Sequence, residues 1–102
     1  MKGIDIMKQA KQMARRLEQI KEELSQKTVE VTVGGGMVKI VANGDNQVVK
    51  IDIAREAIDP DDKEMLEDLI ILAVNDVMRR VKEMVDSEMS TVTGGITLPG
   101  MF

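Results

Sequence analysis

Lys8, Lys11 and Arg15 fall at i, i+3 and i+7, a spacing that sets three cations on one face of a helix, with Arg16 on its flank. Cations spaced in this way can each neutralise a phosphate along a nucleic-acid backbone. Further along the same face the charge turns acidic at Glu18 and Glu22, so the stripe is confined to the first half of the helix. The helix dipole favours carboxylates in the first turns, and here it meets lysines instead. That conflict points to an anionic partner; the competing reading is a solvated face that happens to be basic. A second cluster, Arg79, Arg80 and Lys82, is a weaker candidate for the same work. Asp76, Glu83 and Asp86 stand at i,i+4 spacing from these cations, and such surface pairs contribute only a few tenths of a kcal/mol while cancelling the local field.

Other chemistry finds little support. The 102 residues contain no histidine and no cysteine, which removes the usual general base, the thiolate nucleophile and the commonest metal ligands. Gly34-Gly35-Gly36 could suggest a phosphate loop, but no Gly-Lys-Ser/Thr follows and the next residues alternate like a strand. The carboxylates of Asp59, Asp61 and Asp62 could suggest a divalent cation, yet a proline-led helix cap accounts for them. No catalytic residue, metal, cofactor or small-molecule substrate is assigned, and the chain reads as a non-enzyme. No apolar run approaches the ~20 residues of a membrane span. The expected location is therefore cytoplasmic.

The elements that would position the basic stripe follow from periodicity. Ile6, Ala10, Met13, Leu17, Ile20 and Leu24 are spaced 4, 3, 4, 3, 4, a heptad seam suited to pairing with another helix along its length. Three alternating runs come next. Val29, Val31 and Val33, then Val38, Ile40 and Ala42, then Val49, Ile51 and Ile53 form one apolar face. The triple glycine and Asn43-Gly44-Asp45-Asn46 supply the reversals. Asp59 as N-cap and Pro60 at the first helical position open a second helix, striped by Leu66, Leu69, Ile70, Ala73, Val77, Val81 and Met84. The prediction is an α+β chain with one domain over 1–102: helix 1–27, three-stranded antiparallel β-meander 28–53, helix 59–89, irregular tail 90–102. A chain of this length must bury roughly two-thirds of its unfolded surface, which calls for a partner subunit.

Net charge is −4, which by itself argues against nucleic acid, but its distribution is uneven. Residues 1–16 carry five cations and one carboxylate, whereas residues 56–76 carry eight carboxylates and one lysine. The first helix is the basic element.

Four segments together resemble the YbaB/EbfC family of bacterial nucleoid-associated DNA-binding proteins. They are Met1-Lys2 with Met7-Lys8-Gln9-Ala10 and Met13; Gly34 to Ile40 followed by Asn43-Gly44; the run from Asp62 to Ile70; and Gly94 to Gly100. The resemblance runs nearly end to end. It implies a homodimer whose strands share a centre and whose helices project as arms that contact double-stranded DNA. On this chain it favours Lys8, Lys11, Arg15 and Arg16, with Arg79, Arg80 and Lys82 behind them. Asp45-Asn46-Gln47 departs from the arginines common after the Asn-Gly turn in that family, so the resemblance assigns no contact to this hairpin. Two other expectations remain open: a protein-binding scaffold or prefoldin-like holdase, and an accessory factor to a recombination or replication protein.

Overall fold

The computed structural model describes residues 2–92. The order is α1 (Lys2–Gln26), β1 (Thr28–Val33), β2 (Val38–Asn43), β3 (Val48–Ile53), a single 3-10 turn at Arg55–Ala57, and α2 (Lys63–Val92). The strands form one antiparallel sheet in the order β1-β2-β3, so the predicted α+β meander between two helices is what the chain adopts. The motif from Gly94 to Gly100 lies outside the described residues.

The core lies between α2 and the first two strands. Ala73, Val77 and Val81 recur every four residues on α2, and their fully buried side chains meet Val31, Val38, Ile40 and Ala42. At one end of the sheet the β1–β2 turn runs through three left-handed glycines. Gly34, at φ 64°, adopts a conformation that favours glycine, and a Cβ there would also push on the end of the Leu69 side chain, 2.8 Å from Cδ2. At the other end Asn43 organises the β2–β3 turn. Its Oδ1 accepts the N–H groups of Asp45 at 2.9 Å and Gln47 at 3.2 Å.

Three expectations change. The second helix begins at Lys63 rather than Asp59. Asp59 closes a turn of its own, its Oδ1 accepting the N–H of Asp61 and its carbonyl that of Asp62, both at 3.0 Å. Asp62 is the cap that opens α2, its Oδ1 accepting the N–H of Met65 at 3.3 Å. That helix also runs on to Val92, so residues 90–92 are helical. The third strand is not part of the protomer's core: Val49 is 55% exposed and Ile51 47%, and only Ile53 packs against the buried cluster. α2 lies over β1 and β2 and barely reaches β3, and a register shift at Val41/Ala42 carries the start of β3 out of step.

The third change concerns the seam of α1. Ile20 and Leu24 are buried, and with Leu17 they pack on Met84, Val85 and Met89 of α2. Ile6 and Met13, at the same heptad positions earlier in the helix, are 64% and 47% exposed. At 1.5 Å per residue the 25 residues of α1 reach ~37 Å, and among the described residues only the last third is packed in a buried cluster. The radius of gyration is 19.3 Å, against about 13 Å for a compact chain of this length.

Candidate nucleic-acid interface

The root of α1 is fixed by backbone and side chain together. The N–H of Gly44 reaches the carbonyls of Leu24 at 3.0 Å and Lys27 at 3.2 Å, satisfying acceptors that a helix end leaves open. The approach is so close that a Cβ on Gly44 would stand 2.3 Å from the Leu24 oxygen. Lys27 Nζ also donates to Glu88 Oε1 at 2.5 Å, tying the end of the first helix to the end of the second. The β2–β3 hairpin thus acts as the socket from which the first half of α1 projects.

On that free half stand Lys8, Lys11, Arg15 and Arg16, all exposed and none within salt-bridge distance of an acid among the described residues. The helix brings Lys8, Lys11 and Arg15 onto the face opposite the seam, as their spacing requires. Ile4 and Met7 line a shallow depression with Lys8 and Lys11, which makes this face a mixed cationic and apolar strip. Ile4 and Met7 escape a reading based on periodicity because neither belongs to the seam. Nothing in their spacing separates them from ordinary surface residues.

The second cluster is different. Arg79 Nη2 donates to Asp76 Oδ1, and Arg80 Nε lies 3.9 Å from Asp76 Oδ2. The Arg79 hydrogen bond holds the Asp76 carboxyl below its ordinary value against the opposing effect of desolvation, with the charges of Arg79 and Arg80 adding to it. The same hydrogen bond raises Arg79 further above neutrality. Lys82 is exposed and has no salt bridge among the described residues. One carboxylate therefore serves two arginines, where the sequence suggested separate i,i+4 pairs.

Three further features bear on chemistry. Among the described residues no group of three acidic, histidine or cysteine side chains is arranged to hold a metal ion. Asp59 and Asp62 each give one carboxylate oxygen to a backbone N–H group. Among the described residues no helix is long and apolar enough to cross a membrane.

The protomer is elongated, and the basic half of α1 is exposed among the described residues. The fold is similar to the crystal structure of an uncharacterized protein from Helicobacter pylori, with a TM-score of 0.77 over 86% of this chain and 92% of that one, at 23% identity. In sequence the chain is 52% identical over 98 residues to a nucleoid-associated protein of Thermoanaerobacter sp. (strain X514), covering 96% of this chain and 88% of the relative. It is 50% identical over 97 residues to a nucleoid-associated protein of Desulforamulus reducens, covering 95% and 92%. Residues 1–96 match the YbaB/EbfC DNA-binding family. The chain belongs to that family.

Proposed function

We propose that this chain is a nucleoid-associated protein that binds double-stranded DNA as a homodimer, gripping phosphates with the basic half of α1. The observation that carries the reading is the arm itself. Among the described residues four cations stand exposed and unpaired, on a helical segment that belongs to neither buried cluster. Phosphates are the ligand such a face suits, because binding releases the counterions condensed on the duplex. Lys8, Lys11, Arg15 and Arg16 make the contacts; Arg79, Arg80 and Lys82 contribute less, since Asp76 already draws on the two arginines. Contacts of this kind position the protein without reading bases, so sequence preference is weak. The relatives are named for the nucleoid, which fits a role in its organisation.

The homodimer is supported by apolar surface that the protomer leaves uncovered. Leu69 to Val74 is an unbroken run of six apolar residues, more than one buried face requires. Ile71 is 59% exposed and Leu72 56%. Val49 and Ile51 of β3 and Ile58 just beyond it are exposed as well. Ile51 pairs with Ile40 and so continues the core face past the edge of α2. A second copy packed along β3 would cover Val49 and Ile51, the strand residues that α2 leaves exposed.

The test is a salt titration of duplex binding, with oligomeric state followed by sedimentation. Four cations from each of two protomers give a slope of log K against log salt of about −7. Reversing Lys8, Lys11 and Arg15 to glutamate should abolish binding and leave the dimer intact. Binding that survives the reversal, or a slope near zero, would overturn the reading. Protection of an unfolded client without duplex affinity would favour a holdase instead.

A further inference from the structure

The basic face of α1 has a phosphate backbone to meet, but the opposite face does not. Ile6, Ala10 and Met13 are exposed, in unbroken register with Leu17, Ile20 and Leu24, which the same seam buries against α2. Gly3 continues the pattern one step further toward the start, and a Cβ there would meet nothing within 4 Å. An apolar heptad seam is complementary to another helix, not to DNA.

We infer that this stretch of seam is a self-association surface on which α1 of a second copy lies antiparallel. The order of residues selects the partner and its direction. Antiparallel helices pair each a position with a d position of the neighbour. In heptad terms Gly3 and Ala10 occupy a, and Ile6 and Met13 occupy d. One register confines the contact to the uncovered part of the helix. It sets Ile6 against the partner's Ala10 and Met13 against the partner's Gly3, each twice by symmetry. A large side chain meets a small one in all four layers, which lets the helices approach closely without a void. Gln9 then faces its own copy on one flank and Met7 on the other, so no like charges are forced together there. A parallel pair would stack Ile6 on Ile6 and Gly3 on Gly3, leaving gaps between crowded layers.

The contact covers residues 3–13, ~15 Å of helix, which places it among weak, reversible interfaces. It leaves Lys8, Lys11 and Arg15 of both copies pointing outward on opposite sides. The pairing itself does not need DNA. Its consequence, that one pair of arms can hold two duplexes side by side, rests on the reading of the basic face given above.

The chain has no cysteine, so engineered ones report cleanly. Ile6→Cys protein and Ala10→Cys protein are mixed and oxidised, with Gln12→Cys as the control on the outward side. The expected result is a disulfide-linked dimer on a denaturing gel that accumulates in the mixture well above either protein alone and above the Gln12→Cys control. Cross-linking strongest for Ile6→Cys alone means parallel arms and overturns the inference. So does equal cross-linking at Gln12→Cys, or none in the mixture, as when another part of the same chain covers the seam. As a second measurement, Ile6→Gln combined with Met13→Gln should remove species larger than the basal assembly in sedimentation, and persistence of those species is also contrary. The same variant keeps every cation, so its affinity for a short single-site duplex should match the parent. Loss of the larger species with duplex binding retained separates arm pairing from DNA contact.

Discussion

The two basic clusters share residue types and a helical setting, yet their surroundings make them chemically unlike. Lys8, Lys11, Arg15 and Arg16 ride on a half-helix with no packed face among the described residues. Arg79 and Arg80 ride on a helix whose other side carries the core residues Ala73, Val77 and Val81, and both lean on Asp76. A cation held by a neighbouring carboxylate must give up that partner to bind a phosphate, whereas an unpaired one gives up only water. Density of positive charge in the sequence is thus a poor measure of anion binding. What distinguishes the clusters is whether the fold has already neutralised them.

The strongest way to break this contrast leaves every charge in place and removes the root of the arm. Leu24 is 3% exposed between α1 and the methionines of α2. Leu24→Ala should cost about 2–5 kcal/mol in urea unfolding, the range for deleting a buried leucine. Ile6→Ala, on the free half of the same seam, should change stability by less than about 0.5 kcal/mol in dilute protein. Equal costs at the two sites would mean the free half is covered in the folded protomer. That result would weaken the case that its cations are uniquely available.

Much of this arrangement is legible before any coordinates. The heptad of α1, the Asn43-Gly44 reversal and the alternation of β1 and β2 each follow from local rules. What a linear pattern cannot supply is where one element stops covering another. Val49, Ile51 and Ile53 alternate as well as Val29, Val31 and Val33 do, but α2 reaches only β1 and β2. Ile6 and Leu24 are indistinguishable by spacing, and their fates differ because α2 packs only beside the last turns of α1. Asp59-Pro60 reads as a cap because proline favours the first helical turn. The same dipeptide also suits the start of a reversal, and Asp62 takes the cap. The cations of the arm were identifiable from spacing, while the sharing of Asp76 by Arg79 and Arg80 depends on rotamers that spacing leaves open.

A smaller effect sharpens the contrast by disturbing the socket. Gly44→Ala would put a methyl 2.3 Å from the Leu24 carbonyl, and that atom belongs to a helix backbone that cannot turn aside cheaply. The expected cost is about 1–3 kcal/mol, typical of overpacking, measured by urea unfolding. Because the hairpin would have to move away from α1, duplex affinity should also fall although no charge has changed. Unaltered duplex affinity in a measurably destabilised protein would show that the arm binds without a fixed base.

The smallest effect acts on the other cluster, through Asp76. Its carboxyl is held below the ordinary value, first by the hydrogen bond from Arg79 and then by the two arginine charges. A group whose folded value is depressed lends stability that is complete above the unfolded value, about 3.9 for aspartate, and is lost as pH falls through the folded one. Between pH 7 and 5 the pairing should therefore be constant, and a titration of duplex binding over that range should owe nothing to Asp76. Asp76→Asn removes the carboxylate charge at neutral pH and frees Arg79 and Arg80. Duplex affinity should then rise modestly, with a steeper salt slope, each newly engaged cation adding about 0.9 to its magnitude. The change should be smaller than the loss caused by reversing the arm, because these arginines sit on a helix already committed to the core. An unchanged slope would place Arg79 and Arg80 outside the path of the duplex altogether, leaving phosphate contacts to the cations of α1.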